Sequence, residues 1–134
     1  MTANLNGSQT QPTVRTWTFW LPISAPLSLN SRQHWRRKAK DVAAVRQAAC
    51  MLAKAARIPA LPRIAVELHY APRDRRRRDV INLVATLKPT EDGIVDAGIV
   101  PDDTAQYVQP TMPILDEPTG KVGRLYVIVR EVPA

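Results

Sequence analysis

The sequence predicts a small α/β (α+β) domain, a small mixed β-sheet with two main helices in the order β-α-β-α-β-β. Three observations lead there. Stretches 14–21 and 63–70 alternate apolar and polar residues and are rich in β-branched and aromatic side chains, as half-buried strands are. Stretch 34–57 between them repeats its apolar residues at steps of three and four, the period of a helix. A second helical pattern follows residue 79, and two more strand-like stretches, 105–109 and 124–132, close the chain. Helices alternating with strands in this way pack onto a sheet. The 134 residues suffice for one domain with its own core. Residues 1–13 are expected to be a flexible polar arm and 14–134 the single domain.

In the first strand Trp17, Phe19 and Leu21 share one face, and Thr16, Thr18 and Trp20 the other. Pro22 and Pro26 then force a loop. Ser31 is the expected N-cap of the first helix, about His34 to Arg57. Its apolar stripe runs Trp35, Ala39, Val42, Val45, Ala49, Leu52 and Ala56, and places Cys50 in a run that reads as buried. Arg36, Arg37, Lys38 and Lys40 crowd its first turns, where cations oppose the helix dipole. With Asn30, Arg32 and His34 nearby they form a candidate phosphate-binding patch, or else a solvated helix face. Pro59 and Pro62 end the helix. The second strand presents Ile64, Val66, Leu68 and Tyr70 on one face and Ala65, Glu67 and His69 on the less buried one, where His69 is expected to have no chemical task.

The loop after it holds Arg73, Arg75, Arg76, Arg77 and Arg78, whose mutual repulsion predicts a loop that is mobile until a polyphosphate orders it. Next, Val80, Val84, Leu87, Ile94 and Val95 mark helical structure interrupted by Pro89. The expectation is two short helices, 80–87 and 89–97, or one kinked helix, with Gly98 as the stop. DEPTGKVG (116–123) is the turn between the last two strands.

Nineteen Lys and Arg against 12 acids give a net charge of +7, which favours a polyanion, first of all nucleic acid. One cysteine excludes an internal disulfide and suits a reducing cytosol. Two histidines and that cysteine are too few for a structural zinc site. No window of 18 apolar residues can span a membrane, and the N-terminal residues lack the build of a signal peptide. The chain contains no helix-turn-helix pattern for reading bases.

The chemistry concentrates in RRRRDVINLVATLKPTEDGIVDAGIVPDD (75–103). Carboxylates brought together repel unless a cation lies between them, and Mg²⁺ takes oxygen ligands, often one or two carboxylates completed by water and phosphate. Asp79, Asp92, Asp102 and Asp103 are the candidate ligands. Lys88 would place a point charge on a scissile phosphate. Singly, each aspartate is equally well explained as a cap or turn residue.

Residues 79–103 resemble the core motif of the RusA family of Holliday-junction resolvases, above all its phage-borne members. That motif runs Asp-x-Asp-Asn, Lys, Asp-Gly-Leu, Ala-Gly-Val, Asp-Asp. The matching residues are Asp79, Asn82, Lys88, Asp92 to Ile94, Ala97 to Ile99, and Asp102 with Asp103. Upstream, Asn30, Arg32 and Trp35 match the family's Asn-x-Arg-x-x-Trp lead into the first helix, and the similarity extends over about residues 20–130. The resemblance implies a RusA-like α/β homodimer that binds four-way and other branched DNA and nicks it with Mg²⁺ in recombination, repair or phage DNA processing. It assigns catalysis to Asp79, Lys88 and Asp103, and metal binding to Asp79, Asp92, Asp102 and Asp103. The DNA-binding residues expected are Asn30, Arg32, Arg36, Arg37, Lys40, Arg73, Arg75, Arg76, Arg77 and Arg78. The expected compartment is the cytoplasm of a bacterial host. The chain departs from the motif at Ile81, where the family has its second aspartate. The alternative is therefore a junction- or DNA-binding protein whose cleavage is weakened or lost.

Overall fold

The computed structural model describes residues 14–28 and 35–133. The expected arm (1–13), the Ser31 cap and the patch residues Asn30, Arg32 and His34 lie outside the described residues. The elements are β1 (Thr16–Trp20), α1 (Trp35–Ala55), β2 (Ile64–Ala71), a 3-10 turn (Val80–Leu83) that runs into α2 (Val84–Asp96), β3 (Val108–Gln109), β4 (Ile114–Leu115) and β5 (Arg124–Glu131). The result is the mixed α+β fold that the pattern predicts, a five-stranded sheet with two helices.

The sheet order is β1-β5-β2-β3, with β4 also beside β2. β5 is antiparallel to both neighbours, and β3 and β4 run parallel to β2. Ile64, Val66, Leu68 and Tyr70 of β2 therefore line up with Leu125, Val127 and Val129 of β5 and with Phe19 and Leu21, and all are buried. The two helices close this face, with Ala53, Leu83, Leu87 and Ile94 in the same cluster. Fully burying an aliphatic side chain of this size contributes about 1.5–3 kcal/mol.

The last strands differ from expectation. Residues 105–107 form a turn, since the N–H groups of Tyr107 and Val108 both donate to Thr104 O at 2.9 Å, so only Val108–Gln109 pairs as strand. The additional strand β4 follows after a gap that holds Pro110 and Pro113, which have no N–H for a ladder. The Thr111 hydroxyl fills part of that gap by donating to Val66 O at 2.6 Å.

Pro89 does not divide the second helix. It is buried inside α2, and the irregular part comes earlier, as the 3-10 turn. Gly98 ends the segment as expected, with φ +86°, and its N–H donates to Val95 O at 2.9 Å. α1 buries Val45, Ala49 and Ala53, whereas Trp35 and Val42 of the expected apolar stripe are exposed and Cys50 is only half-buried. Length explains this. The 21 residues of α1 extend about 31 Å and the 13 of α2 about 20 Å, so α2 cannot cover its neighbour throughout. At the crossing the backbones touch, and a Cβ on Gly93 would overlap the carbonyl oxygen of Arg46 and crowd Ala49.

On the other face of the sheet the register sets Trp20, Tyr126, His69 and Ile114 side by side. His69 joins a hydrogen-bonded cluster there. Its ring stacks on Tyr126 at 4.5 Å between centroids, and Nδ1 lies 3.1 Å from both Asp116 Oδ2 and Tyr126 Oη. The Tyr126 hydroxyl donates to Asp116 Oδ2 at 2.6 Å. That hydrogen bond, then burial, pushes the Tyr126 phenol up to about 12. His69 Nε2 is buried without a hydrogen-bond partner, 3.8 Å from Glu67 Oε1.

Candidate functional site

The acidic end of the motif folds back onto its middle. After the left-handed Gly98, Ile99 and Val100 insert into the core, and Leu61 N–H holds Ile99 O at 2.9 Å. The chain then returns along α2, which brings Asp103 to Lys88. Lys88 Nζ lies 3.0 Å from Asp103 Oδ2 and 3.1 Å from Asp92 Oδ1, the latter one helical turn away on the same face. Asp102 supports its neighbour, since its Oδ1 accepts Asp103 N–H at 2.7 Å. The hydrogen bonds that Lys88 gives to Asp103 and Asp92 raise the Lys88 pKa, and the one it gives to Asp103 holds that carboxyl below its ordinary range. Lys88 and Asp103 are therefore both charged at neutral pH.

Three further residues border this cluster. Arg46 on α1 makes a two-pronged contact with Asp96 at 2.6 and 2.9 Å, and Asp92 and Asp103 add to the field that raises its pKa. Glu91, largely shielded, has its carboxyl pushed up by burial.

Asp79 does different work. It is the N-cap of the 3-10 turn, its Oδ1 accepting Ile81 N–H at 3.1 Å. Among the described residues no hydrogen bond or ion pair joins it to Lys88, Asp102 or Asp103. Ile81 beside it is 49% exposed. Asp79 lines a cleft of about 320 Å³ with Arg77, Asn82 and Ser28.

The arginine loop is not held open by repulsion, because Asp74 organises it. Asp74 Oδ1 accepts Arg76 N–H and Arg78 Nη2, both at 3.0 Å, and its other oxygen lies 3.6 Å from Arg76 and 3.9 Å from Arg73. Arg78 also donates to two backbone carbonyls and lies over the Tyr70 ring, so it is a structural residue and not a free phosphate ligand. Arg75 reaches Glu117 at 3.0 Å, both largely in solvent. Arg77 alone of the five has no carboxylate within ion-pairing distance among the described residues, and it faces the cleft. On α1, Arg36 lies over the Trp35 ring, and Arg37 and Lys40 are exposed.

Does this fit a divalent metal? Among the described residues no group of three or more His, Cys, Asp or Glu side chains is disposed to hold one. The two carboxylates that do converge, Asp92 and Asp103, already share the Lys88 ammonium. Their donors are all oxygen, however, and Mg²⁺ needs only one or two carboxylates when water and a substrate phosphate complete its shell. The described residues thus offer at most two carboxylates, already paired with Lys88, and an ion there would depend on water and phosphate for the rest of its shell.

Fold and site together define a basic α+β domain with a lysine-bridged carboxylate cluster and an arginine-edged cleft. No family model matches the chain. It is 30% identical over 112 residues to an uncharacterized protein of Xylella fastidiosa (strain Temecula1 / ATCC 700964), a match over 79% of this chain and 70% of that protein. The chain belongs to the same family as that bacterial protein.

Proposed function

We propose that the protein is a RusA-like, Mg²⁺-dependent, structure-specific endodeoxyribonuclease that acts as a homodimer on four-way and other branched DNA in the cytoplasm of a bacterial host. The observation that supports this most is the return of Asp103 to Lys88, which joins the last acid of the motif to its lysine. Phosphodiester hydrolysis needs three things: a base for the attacking water, positive charge on the phosphoryl oxygens, and a grip on the flanking backbone. The Asp103 carboxylate, ionised at neutral pH, accepts the water proton, and Lys88 offsets charge on the phosphoryl oxygens. Arg77 and the exposed Arg37 and Lys40 bind flanking phosphates. Mg²⁺, if held at Asp103 and Asp92 with water and the substrate phosphate completing its shell, would polarise the phosphodiester; Asp79, which the motif offers as a ligand, stands apart at the cap of the 3-10 turn. A junction with two-fold symmetry takes two equivalent cuts, which an isologous dimer supplies. Among the described residues no helix is long and apolar enough to cross a membrane.

Ile81 favours a second reading, a protein that holds junctions without cutting them, because an isoleucine cannot ligate a metal at the position of the family's second aspartate. One experiment separates the two. End-labelled four-way junctions and linear duplex of the same sequence are incubated with the full chain, with and without Mg²⁺. Paired nicks on the junction, dependent on Mg²⁺, support the nuclease. Tight junction binding without nicks leaves the binding protein.

A further inference from the structure

We infer that the cleft at the start of the motif receives one unpaired nucleotide of the branched DNA, its base inside and its phosphate at Arg77. This rests on the reading that the protein acts on DNA and adds which part of the substrate the cleft takes. At about 320 Å³ the cleft is at the lower end of the range typical of small-molecule sites, about 300–1,000 Å³. Hydrogen bonds anchor the backbone on two of its sides. On one side Leu27 N–H donates to the Thr86 hydroxyl at 2.8 Å, and Thr86 is fully buried. On the other side Asp79 caps the 3-10 turn, and Asn82 N–H donates to Asp79 O at 3.1 Å.

The lining sorts by chemistry. Leu27, Leu83 and Leu115 give the lining apolar surface suited to the faces of a flat ring. The same lining carries polar groups that have no side-chain partner among the described residues. The second carboxylate oxygen of Asp79, the Asn82 amide and the Ser28 hydroxyl make no side-chain hydrogen bond among the described residues. A carboxylate accepts from an exocyclic amino group, and a primary amide both gives and accepts along a base edge. Arg77, which has no ion-pair partner among the described residues, lines the same cleft as a cation for the attached phosphate. Ring faces, a hydrogen-bonding edge and a negative charge together describe a nucleotide. A base stacked in duplex cannot present its edge and both faces to such a cleft, so the nucleotide must be out of the stack, and unpaired or branch-point bases leave it at least cost.

The test uses four-way junctions carrying 2-aminopurine at one position at a time around the branch point, mixed with the full chain in Ca²⁺ to prevent cleavage. Anisotropy of a distant dye reads binding in the same samples. The expected result is a several-fold rise in 2-aminopurine fluorescence at one branch-adjacent position, lost both in Asn82→Leu and in Ser28→Phe, which fills the cleft. Thermal melts establish that both variants are folded. A junction that binds with no position rising, or with a rise that survives both substitutions, overturns the inference and leaves the nuclease reading intact. No binding at all overturns both. If free dCMP binds the junction-bound protein as tightly as the free protein, the junction leaves the cleft open and the DNA assignment is wrong.

Discussion

Two side chains show how little separates a structural residue from a functional one here. Tyr126 is held as a phenol by the hydrogen bond it gives Asp116, and then by burial, with its pKa pushed up to about 12. A tyrosine raised above its ordinary value of about 10 contributes stability that is fully present below pH 10 and lost as pH rises toward 12. Tyrosinate absorbance should therefore show one of the three tyrosines titrating near 12. Asp116→Asn should bring that titration down toward 10, and an unchanged curve would show the hydrogen bond not to be the cause. At Ile81, 49% exposure means that replacement removes little buried surface. Ile81→Asp should accordingly melt within a few degrees of the wild type. On the nuclease reading it should also raise the rate of Mg²⁺-dependent nicking by adding a carboxylate next to Asp79. Unchanged or reduced nicking in a folded variant would show that the isoleucine is not what limits cleavage.

The elements make two further tests possible. The close crossing of α1 and α2 depends on Gly93, where a Cβ meets backbone that cannot swing aside. Overpacking of this kind costs about 1–3 kcal/mol. It works against the gain of roughly 1 kcal/mol that alanine brings over glycine in a helix. Gly93→Ala should still destabilise the domain in chemical denaturation; a stabilised variant would mean the helices can separate freely. In the arginine loop Asp74 is the hub for Arg73, Arg76 and Arg78. Asp74→Ala should expose these arginines to trypsin, and cleavage within 73–78 should be markedly faster than in the wild type. Equal rates would leave the loop ordered by something else.

Across the whole molecule, the sequence was informative where interactions are local or periodic. The alternation in β2 and in 124–132 located the core face, Gly98 marked the end of α2, and Lys88 with Asp92 is an i,i+4 pair. The role of Asp74 was also within reach, since two of its partners are two and four residues away, but five neighbouring arginines suggested repulsion alone. Contacts distant in sequence were not legible. Arg46 meets Asp96 across 50 positions, and the His69, Asp116 and Tyr126 cluster depends on strand register. Nor does an apolar period say how far a partner helix reaches, and so Trp35 and Val42 remain in solvent.

The central proposal is that the carboxylate drawn onto Lys88 cuts branched DNA, and the most direct measurement is single-turnover nicking of a four-way junction at saturating protein, comparing the wild type with Asp103→Asn. The account predicts Mg²⁺-dependent nicks for the wild type and their loss in the variant, with junction affinity retained. A wild type that never nicks the bound junction, or an Asp103→Asn variant that nicks as fast, would contradict it.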